Sequence, residues 1–469
     1  MQGILHEECG LFGIYDKSHL GSIASTVYYG LFALQHRGQE SAGIAVNHDR
    51  NVTLIKGQGL VSDVFKHTRL GELPGEFAIG HVRYASNENK DAENAQPITV
   101  KHRKGNLTVA HNGNITNSKA LREALENKGA IFRSTGNDSE IICHLIARER
   151  LHTDSIEEAV ANVIPMLKGS FSLLIMSPCK LIALRDPLGI RPLCMGHIEN
   201  SVLFSSESCG LETVGATFDR DLRPGEMVIV SPDEMHSDTR FCSDKSALCI
   251  FEHIYFARPD SVIDGQSVNE ARINAGRLLA QQHPVEADLV IGVPDSGISS
   301  AIGYALESGI PYGVGLIKNR YIGRTFIQPT QAMRERSVAL KLNALDSNVK
   351  GKRLIMIDDS IVRGTTLKNI VRLLKKAGAK EVHVRISSPK FLYPCYFGTD
   401  IPDRDQLAAN RYTTEEMRDN MGADSLGFLD LDSVEQIAPC STVHFCKACF
   451  DGNYPCAVDN TVDESLLNK

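Results

Sequence analysis

The sequence predicts two fold classes in succession: layered sheets covered by helices up to about residue 235, then an α/β half built on a parallel sheet. Three observations carry this. A chain of 469 residues is long for one core and divides into two or three domains. Its first half alternates short apolar runs with glycine and asparagine turns. Its second half repeats strand, acidic or glycine-bearing loop, and helix.

In the first half the strands are read in "CGLFGIY", "SAGIAV", "FAIGHVRY", "LTVAHNG" and "FSLLIM". Two helical patterns interrupt them. "SKALREALENKG" ends at a glycine stop, and "DSEIICHLIARERL" opens with Asp138 as its expected cap and Glu140 nearby. In the second half "ADLVIGVPDSG" and "GKRLIMIDDSIVRGTT" each run apolar for a few residues and then break into acidic loops. The helical patterns "ISSAIGYALESG" and "TLKNIVRLLKKAGAK" follow them, and "EVHVRISS" reads as the next strand. Neither internal repeats nor a low-complexity linker marks the join, which the change of rhythm places at residues 235–250.

Hydrophobic content of 42% and charged content of 23% are ordinary for a soluble globular chain. A formal charge of −7 supplies no basic excess to meet phosphate backbones, which argues against nucleic-acid and membrane-surface roles. No apolar run approaches the roughly 20 residues that span a bilayer. The opening "MQGILHEECG" lacks a basic n-region, so a cytoplasmic location is expected. There the twelve cysteines stay reduced rather than forming a disulfide framework. Cys143, Cys179 and Cys194 lie in apolar surroundings and read as small buried hydrophobes.

"LIMIDDSIVRGTT" is the most specific string. Leu354–Ile357 is expected as a buried strand, and two acids at its carboxyl end stand where ligands bind in parallel sheets. The loop Ser360–Thr366 carries a glycine and hydroxyls and runs into a helix, so its N–H groups suit a phosphate monoester. Asp358 and Asp359 repel phosphate and suit ribose hydroxyls or magnesium instead. The string resembles the phosphoribosyl pyrophosphate (PRPP) signature of type I phosphoribosyltransferases. That resemblance implies PRPP bound by Asp358, Asp359, Ser360, Ile361, Val362, Arg363, Gly364, Thr365 and Thr366. "VPDSG" (Val293–Gly297) looks like the matching pyrophosphate loop, which implies one Mg²⁺ per subunit at Ser296, Asp358 and Asp359. The segment "KNRYIGRTFIQPTQAMRERSVALKLN" holds Lys318, Arg320, Arg324, Arg334, Arg336 and Lys341 against the single acid Glu335. By charge alone it is equally a solvated basic face. Beside a phosphate site it reads as a lid, with Lys318 and Arg324 on PRPP.

Four N-terminal strings, "CGLFGI", "HRGQESAGI", "GHVRY" and "HNGNITN", resemble in this order the glutaminase domain of N-terminal-nucleophile (Ntn) amidotransferases. A thiol at a mature N-terminus has its own α-amine, of pKa about 7.7–8.0, as proton shuttle. The resemblance implies Cys9 as nucleophile, Asn112 and Gly113 as oxyanion hole, and Arg83 and Asp138 on the glutamine carboxylate and α-amine. It also implies removal of Met1–Glu8 as a propeptide. After "GHVRY" the sequence departs from the common pattern, which affects contacts around Ser86.

Both halves together resemble the amidophosphoribosyltransferases. The implied architecture is an αββα Ntn glutaminase domain over 9–235 and a type I phosphoribosyltransferase domain over 245–469. The implied reaction converts glutamine, PRPP and water to 5-phosphoribosylamine, glutamate and pyrophosphate, the first committed step of purine synthesis, with ammonia passed internally. Homotetramers and inhibition by purine nucleotides belong to the same expectation. "HFCKACF" alone fits zinc, redox chemistry or an iron–sulfur cluster. One subgroup of the family carries a [4Fe–4S] cluster, whose ligand pattern maps to Cys249, Cys395, Cys446 and Cys449, one cluster per subunit. Cys440 and Cys456 are spare candidates.

Two alternatives remain at this level. A PRPP-binding regulator without transferase activity would keep the second half's motifs, but the glutaminase strings, the lid and the negative charge oppose it. Amidotransferases acting on sugar phosphates or aspartate have second domains that do not explain "IDDSIVRGTT".

Overall fold

A computed structural model of the chain describes residues 9–17, 21–84, 92–319, 342–399, 401, 403–458 and 460–462. The expected propeptide 1–8, Ser86 and the central part of the basic segment, with Arg320, Arg324, Arg334, Arg336 and Lys341, lie outside them.

Apolar alternation in the first half builds two antiparallel sheets, one of seven strands and one of six. In the first, Gly10–Tyr15 lies between Phe77–Arg83 and Ser201–Ser205. In the second, Gly105–Ile115 pairs with Ile98–His102 and Gly169–Met176. Leu11, Ile79, Ala110, Leu174 and Phe204 fill the space between the sheets. Helix Ile23–Ala33 covers the outer face of the first sheet through Val27 and Leu31. Helices Asp138–Glu149 and Ile156–Val163 cover the second. The result is the expected four-layer αββα stack. The last strand of the second sheet, Met235–Asp238, ends inside the expected join.

The second half is organised on a four-stranded parallel sheet. Leu289–Gly292, Arg353–Asp358, Glu381–Ile386 and Ser425–Phe428 follow one another in register, with Leu289 opposite Leu354 and Arg353 opposite Glu381. Helices Val268–Gln282 and Gly297–Ser308 pack on one face and Thr365–Lys376 on the other. A two-stranded parallel ladder, Leu248–Cys249 with Phe445–Cys446, ties the start of this half to its end.

Fully buried ion pairs join the halves. Arg185 binds Asp264 through both carboxylate oxygens, at 2.8 and 2.7 Å. Arg37 binds Glu252 in the same way, at 3.0 and 2.7 Å. Among the described residues no helix is long and apolar enough to cross a membrane.

Two local expectations are corrected. The cap of helix Asp138–Glu149 is Asn137, whose side chain accepts the Ser139 N–H at 2.9 Å, and Asp138 is the first helical residue. Its carboxylate is thereby released to serve another element. Cys143 and Cys194 are buried as expected, but Cys179 is exposed, because it sits in the turn after strand Gly169–Met176. An apolar run on each side of a two-stranded turn does not enclose the turn itself.

Candidate active site

The glutaminase residues gather where the two sheets face one another. Gly10 pairs with Val82, so Cys9 and Arg83 stand side by side at the ends of adjacent strands. Ser41, from the "HRGQES" string, lies opposite Arg83 on the other side, and its buried hydroxyl has no hydrogen-bond partner among the described residues. Gly38 permits this approach, since a Cβ there would stand 2.6 Å from the Arg83 carbonyl carbon. His81 Nε2 donates to the His111 carbonyl at 3.0 Å and ties the sheets together next to Asn112. Burial pushes the pKa values of His81 and His111 down, to about 3 and about 4, so both imidazoles are neutral structural groups.

Asn112 is almost fully buried, yet its Nδ2 donor has no partner among the described residues. Buried donors are normally satisfied, so this one marks a place for an acceptor. Gly113 follows at φ 137°, and a Cβ there would collide with the Ser170 carbonyl oxygen. Only glycine fits. Two residues further on, the Ile115 N–H donates to Asp138 Oδ2 at 2.8 Å. Burial raises the Asp138 pKa to about 6, against the lowering effects of that N–H, the Ser118 hydroxyl and the Arg83 charge. Asn112, Gly113 and Asp138 are thus tied to one strand, and Arg83, whose charge acts on Asp138, stands beside Cys9.

In the second half, Asp358 closes strand Arg353–Asp358 and Asp359 follows it, both buried. Burial raises both carboxyl pKa values, and for Asp358 the Asp359 charge adds to the rise. Ser296 and Ser360 hydroxyls each donate to Asp359 at 2.5 Å, which brings the "VPDSG" loop against the acid pair. Gly297 allows the contact, since a Cβ there would collide with the Ile357 carbonyl oxygen. Gly364, at φ 78°, starts helix Thr365–Lys376, whose first turn carries neither a side-chain cap nor an acid. Main-chain N–H groups at such a helix start suit a phosphate. Ile361 and Val362 bury their side chains in the two cores, so only their backbones face the loop. Lys318 ends strand Leu316–Lys318 and pairs with Asp295 at 2.7 Å, on the same side as the "VPDSG" loop.

Ser296, Asp358 and Asp359 converge in a way that fits a divalent cation: two buried like charges and a hydroxyl need a positive partner. Cys249, Cys395, Cys446 and Cys449 line a single largely apolar cavity. Cys249 stands opposite Cys446 in the parallel ladder. Burial, with the neighbouring thiols adding to it, raises the Cys446 pKa to about 12 and that of Cys449 as well. Thiolate donors around an apolar cavity fit an iron–sulfur centre in kind. Among the described residues, however, no group of three or more His, Cys, Asp or Glu side chains is arranged to hold a metal ion. Cys440 is exposed, and Cys456 packs outside the cavity lining, with its thiol directed to the Gly169 carbonyl.

Sequence reasoning assigned no role to Arg37, Arg191, Glu207, Glu252 or Arg272, all buried. It also missed that Tyr396–Gly398, next to Cys395, rests on strands Gly105–Ile115 and Gly169–Met176. Asn114 Nδ2 donates to the Tyr396 carbonyl at 2.9 Å and Ser170 Oγ to the Phe397 carbonyl at 2.7 Å. The signal available was charge placement: Glu252 interrupts the apolar "ALCIFEHIYF" without a polar stripe to explain it.

Comparison with known proteins agrees with this division of labour. The glutamine amidotransferase domain profile matches residues 81–213 and the phosphoribosyl transferase domain profile residues 266–387. The amidophosphoribosyltransferase of Methanocaldococcus jannaschii is 47% identical over 466 residues, covering 96% of this chain and 98% of the relative. That of Bacillus subtilis is 46% identical over 475 residues, covering 99% and 98%. A solved structure of glutamine PRPP amidotransferase from B. subtilis, complexed with ADP and GMP, superimposes with a TM-score of 0.89 at 45% identity. It covers 98% of this chain and 100% of that one. With a glutaminase site and a phosphoribosyl site in one chain, and relatives of this similarity along its whole length, the chain belongs to the amidophosphoribosyltransferase family.

Proposed function

We propose that the chain makes 5-phosphoribosylamine from glutamine, PRPP and water, releasing glutamate and pyrophosphate, in the first committed step of purine synthesis. The observation that carries the reading is the buried Asp358–Asp359 pair beside the uncapped N-terminus of helix Thr365–Lys376, in a chain that also sets Cys9 beside Arg83.

In this reading Met1–Glu8 are removed and the Cys9 amine is free. Arg83 pairs with the glutamine α-carboxylate and Asp138 with its α-ammonium. The Cys9 sulfur attacks the side-chain amide carbon while its proton passes to the α-amine. The oxyanion takes the orphaned Asn112 Nδ2–H and the Gly113 N–H. Collapse breaks the C–N bond, the α-amine protonates the departing nitrogen, and water then releases glutamate from the thioester. Ammonia passes through the protein interior, since bulk water would protonate it, and attacks ribose C1 as the bond to pyrophosphate breaks.

At the second site the loop Ser360–Thr366 holds the 5-phosphate, and Asp358 and Asp359 accept the ribose hydroxyls. Lys318 and Arg324 are the cations assigned to the phosphates. Magnesium at Ser296, Asp358 and Asp359 would offset the acid pair and the charge of the leaving pyrophosphate. A [4Fe–4S] cluster on Cys249, Cys395, Cys446 and Cys449 would act as a cross-link between the start and end of the second half, with no electron transfer in the reaction. The four cysteines' shared cavity supports this.

Purine nucleotides share the 5-phosphate and ribose of PRPP, so the same loop and acid pair suit them as inhibitors. The relative crystallised with ADP and GMP supports this. A cytoplasmic location agrees with the reduced buried thiols of Cys143, Cys194 and Cys209. Homotetrameric assembly is the family's expectation, and the exposed aromatic rings of Tyr29 and Phe32 offer apolar surface for it.

The deciding experiment is Cys9→Ala. Glutamine-dependent synthesis is expected to fall about 10³-fold or more, with ammonia-dependent synthesis from PRPP retained. Undiminished glutamine-dependent synthesis defeats the reading.

A further inference from the structure

Arg37 has its whole guanidinium buried and donates to Cys9, Glu207 and Glu252. Nε donates to the Cys9 carbonyl at 3.2 Å. Nη1 donates to Glu207 at 2.6 Å and to Glu252 at 3.0 Å, and Nη2 to Glu252 at 2.7 Å. Glu207 belongs to the glutaminase half. Its carboxylate is further held by His36 Nε2 at 2.7 Å, Arg258 N–H at 2.9 Å and Ser261 Oγ at 2.6 Å. Glu252 belongs to the other half and opens the π-helical turn Glu252–Phe256.

A guanidinium is a rigid plane, so the direction of its Nε–H follows from where its fork is fixed. Here the two-oxygen grip on the fork comes from Glu252, and the hydrogen bond that results lands on the main chain of the proposed nucleophile. We propose that Glu252, in the phosphoribosyl half, is a positioning residue for the glutaminase reaction: it aims Arg37 at the Cys9 carbonyl and so fixes the thiol and α-amine for attack. The proposal rests on Cys9 being the nucleophile.

The turn that carries Glu252 is itself anchored toward the second site. Arg272, also buried, donates to the carbonyls of His253 at 3.0 Å, Tyr255 at 2.9 Å and Ala257 at 2.7 Å. Its charge also lies in the field of Asp359. Glu252 thus stands between Arg272, which feels the charge of Asp359, and Arg37, which meets Cys9. π-Helical turns of this kind recur at functional sites.

The test is Glu252→Gln in the full-length protein, compared with Arg37→Lys, the double variant and Cys9→Ala. Misaiming a nucleophile costs turnover rather than substrate affinity. In Glu252→Gln the glutaminase kcat is expected to fall about 10-fold or more while the glutamine KM stays within about twofold. Alkylation of Cys9 by a glutamine-analogue diazoketone is expected to slow in parallel. Ammonia-dependent synthesis, which bypasses Cys9, is expected to stay within about twofold. Adding Glu252→Gln to Arg37→Lys is expected to cost little more, because both act through one contact.

An unchanged glutaminase kcat overturns the proposal. So does an equal fall of glutamine- and ammonia-dependent synthesis, which marks a purely structural role. If Glu252→Gln fails to fold, Glu252→Asp decides by the same two activities, since its shorter arm withdraws the grip and keeps the charge. Should Cys9→Ala retain glutamine-dependent synthesis, the functional reading itself fails, a result distinct from either outcome above.

Discussion

Asp138 Oδ2 accepts the Ile115 N–H at 2.8 Å, so the carboxylate proposed to hold the glutamine ammonium is fixed to the strand that carries Asn112 and Gly113. Burial raises its pKa to about 6. Between about pH 4, its ordinary value, and pH 6 the folded chain holds a proton here that the unfolded chain has lost. This group therefore lowers stability as pH rises through that window. Binding runs the other way, because only the ionised carboxylate attracts an ammonium. The kcat/KM for glutamine is expected to climb as pH rises through about 6 and then to level. Asp138→Asn keeps the acceptor for Ile115, removes that limb and raises the glutamine KM roughly 30-fold or more. Initial-rate pH profiles of both proteins check it. An acidic limb near pH 6 that persists in the variant excludes Asp138 as its source.

Gly113 combines a positive φ of 137° with backbone closeness to Ser170. In Gly113→Ala the new methyl group must displace the neighbouring strand Gly169–Met176, and the residue stays in a strained conformation. The loss is expected to be about 1–3 kcal/mol in stability. Because the same N–H is proposed to meet the oxyanion, glutaminase kcat is expected to fall about 10²-fold at a temperature where the variant is fully folded. Thermal denaturation and glutaminase turnover, measured on one preparation, separate the two effects.

How much of this was legible in the sequence depended on whether a feature was local. Strands Gly10–Tyr15, Ser41–His48 and Phe77–Arg83 announce themselves because each is a run of apolar residues bounded by turn formers. Asp358–Thr366 is a contiguous loop, so its chemistry sits on one line of text. Helix Ile23–Ala33 was invisible because Tyr29 and Phe32 put aromatic rings on its exposed side, which erases the polar stripe that marks an amphipathic helix. Asn137 and Asp138 both have side chains that suit the cap, and the folded contacts, Ser139 N–H to Asn137 and Ile115 N–H to Asp138, assign it to Asn137. Arg37 and Glu252 are separated by most of the first half, and nothing in either neighbourhood says that they meet. Pairings made by the tertiary fold alone are the part that composition and periodicity do not encode.

Asp358 and Asp359 were legible as a pair, but the physical cost of pairing them appears only in the folded chain. Burial raises both pKa values, and the Asp359 charge acts against that of Asp358. Asp358→Asn retains an Oδ1 acceptor for the Asp359 N–H, now at 3.0 Å, and removes one of the two charges. The ligand-free variant is expected to melt higher than the parent at pH 7 and without magnesium, by about 2 °C or more. PRPP binding with magnesium is expected to weaken at least about 10-fold, since the charge that repels its neighbour is the one the cation needs. Differential scanning calorimetry in chelator and titration calorimetry with PRPP give the two halves of this prediction. A variant that melts lower and binds equally well contradicts both.

The cysteine cavity yields the last prediction. Burial, with neighbouring thiols adding to it, holds Cys446 and Cys449 as thiols, and a cationic centre would take them as thiolates. Protein purified without oxygen is expected to be brown and to contain about four iron and four sulfide per chain. Cys446→Ser is expected to lose both together with much of its stability, because the Leu248–Cys249 and Phe445–Cys446 ladder is short and carries two of the four proposed ligands. Cys440→Ser, at an exposed position outside the cavity, is expected to keep the full iron content. Removing the centre from the parent by oxidation and chelation is expected to lower glutamine-dependent synthesis as well. The Tyr396 and Phe397 carbonyls after Cys395 accept from Asn114 and Ser170, next to the proposed oxyanion hole, so loosening one end is expected to loosen the other. Colourless anaerobic protein that contains zinc and no sulfide would replace this reading with a zinc site.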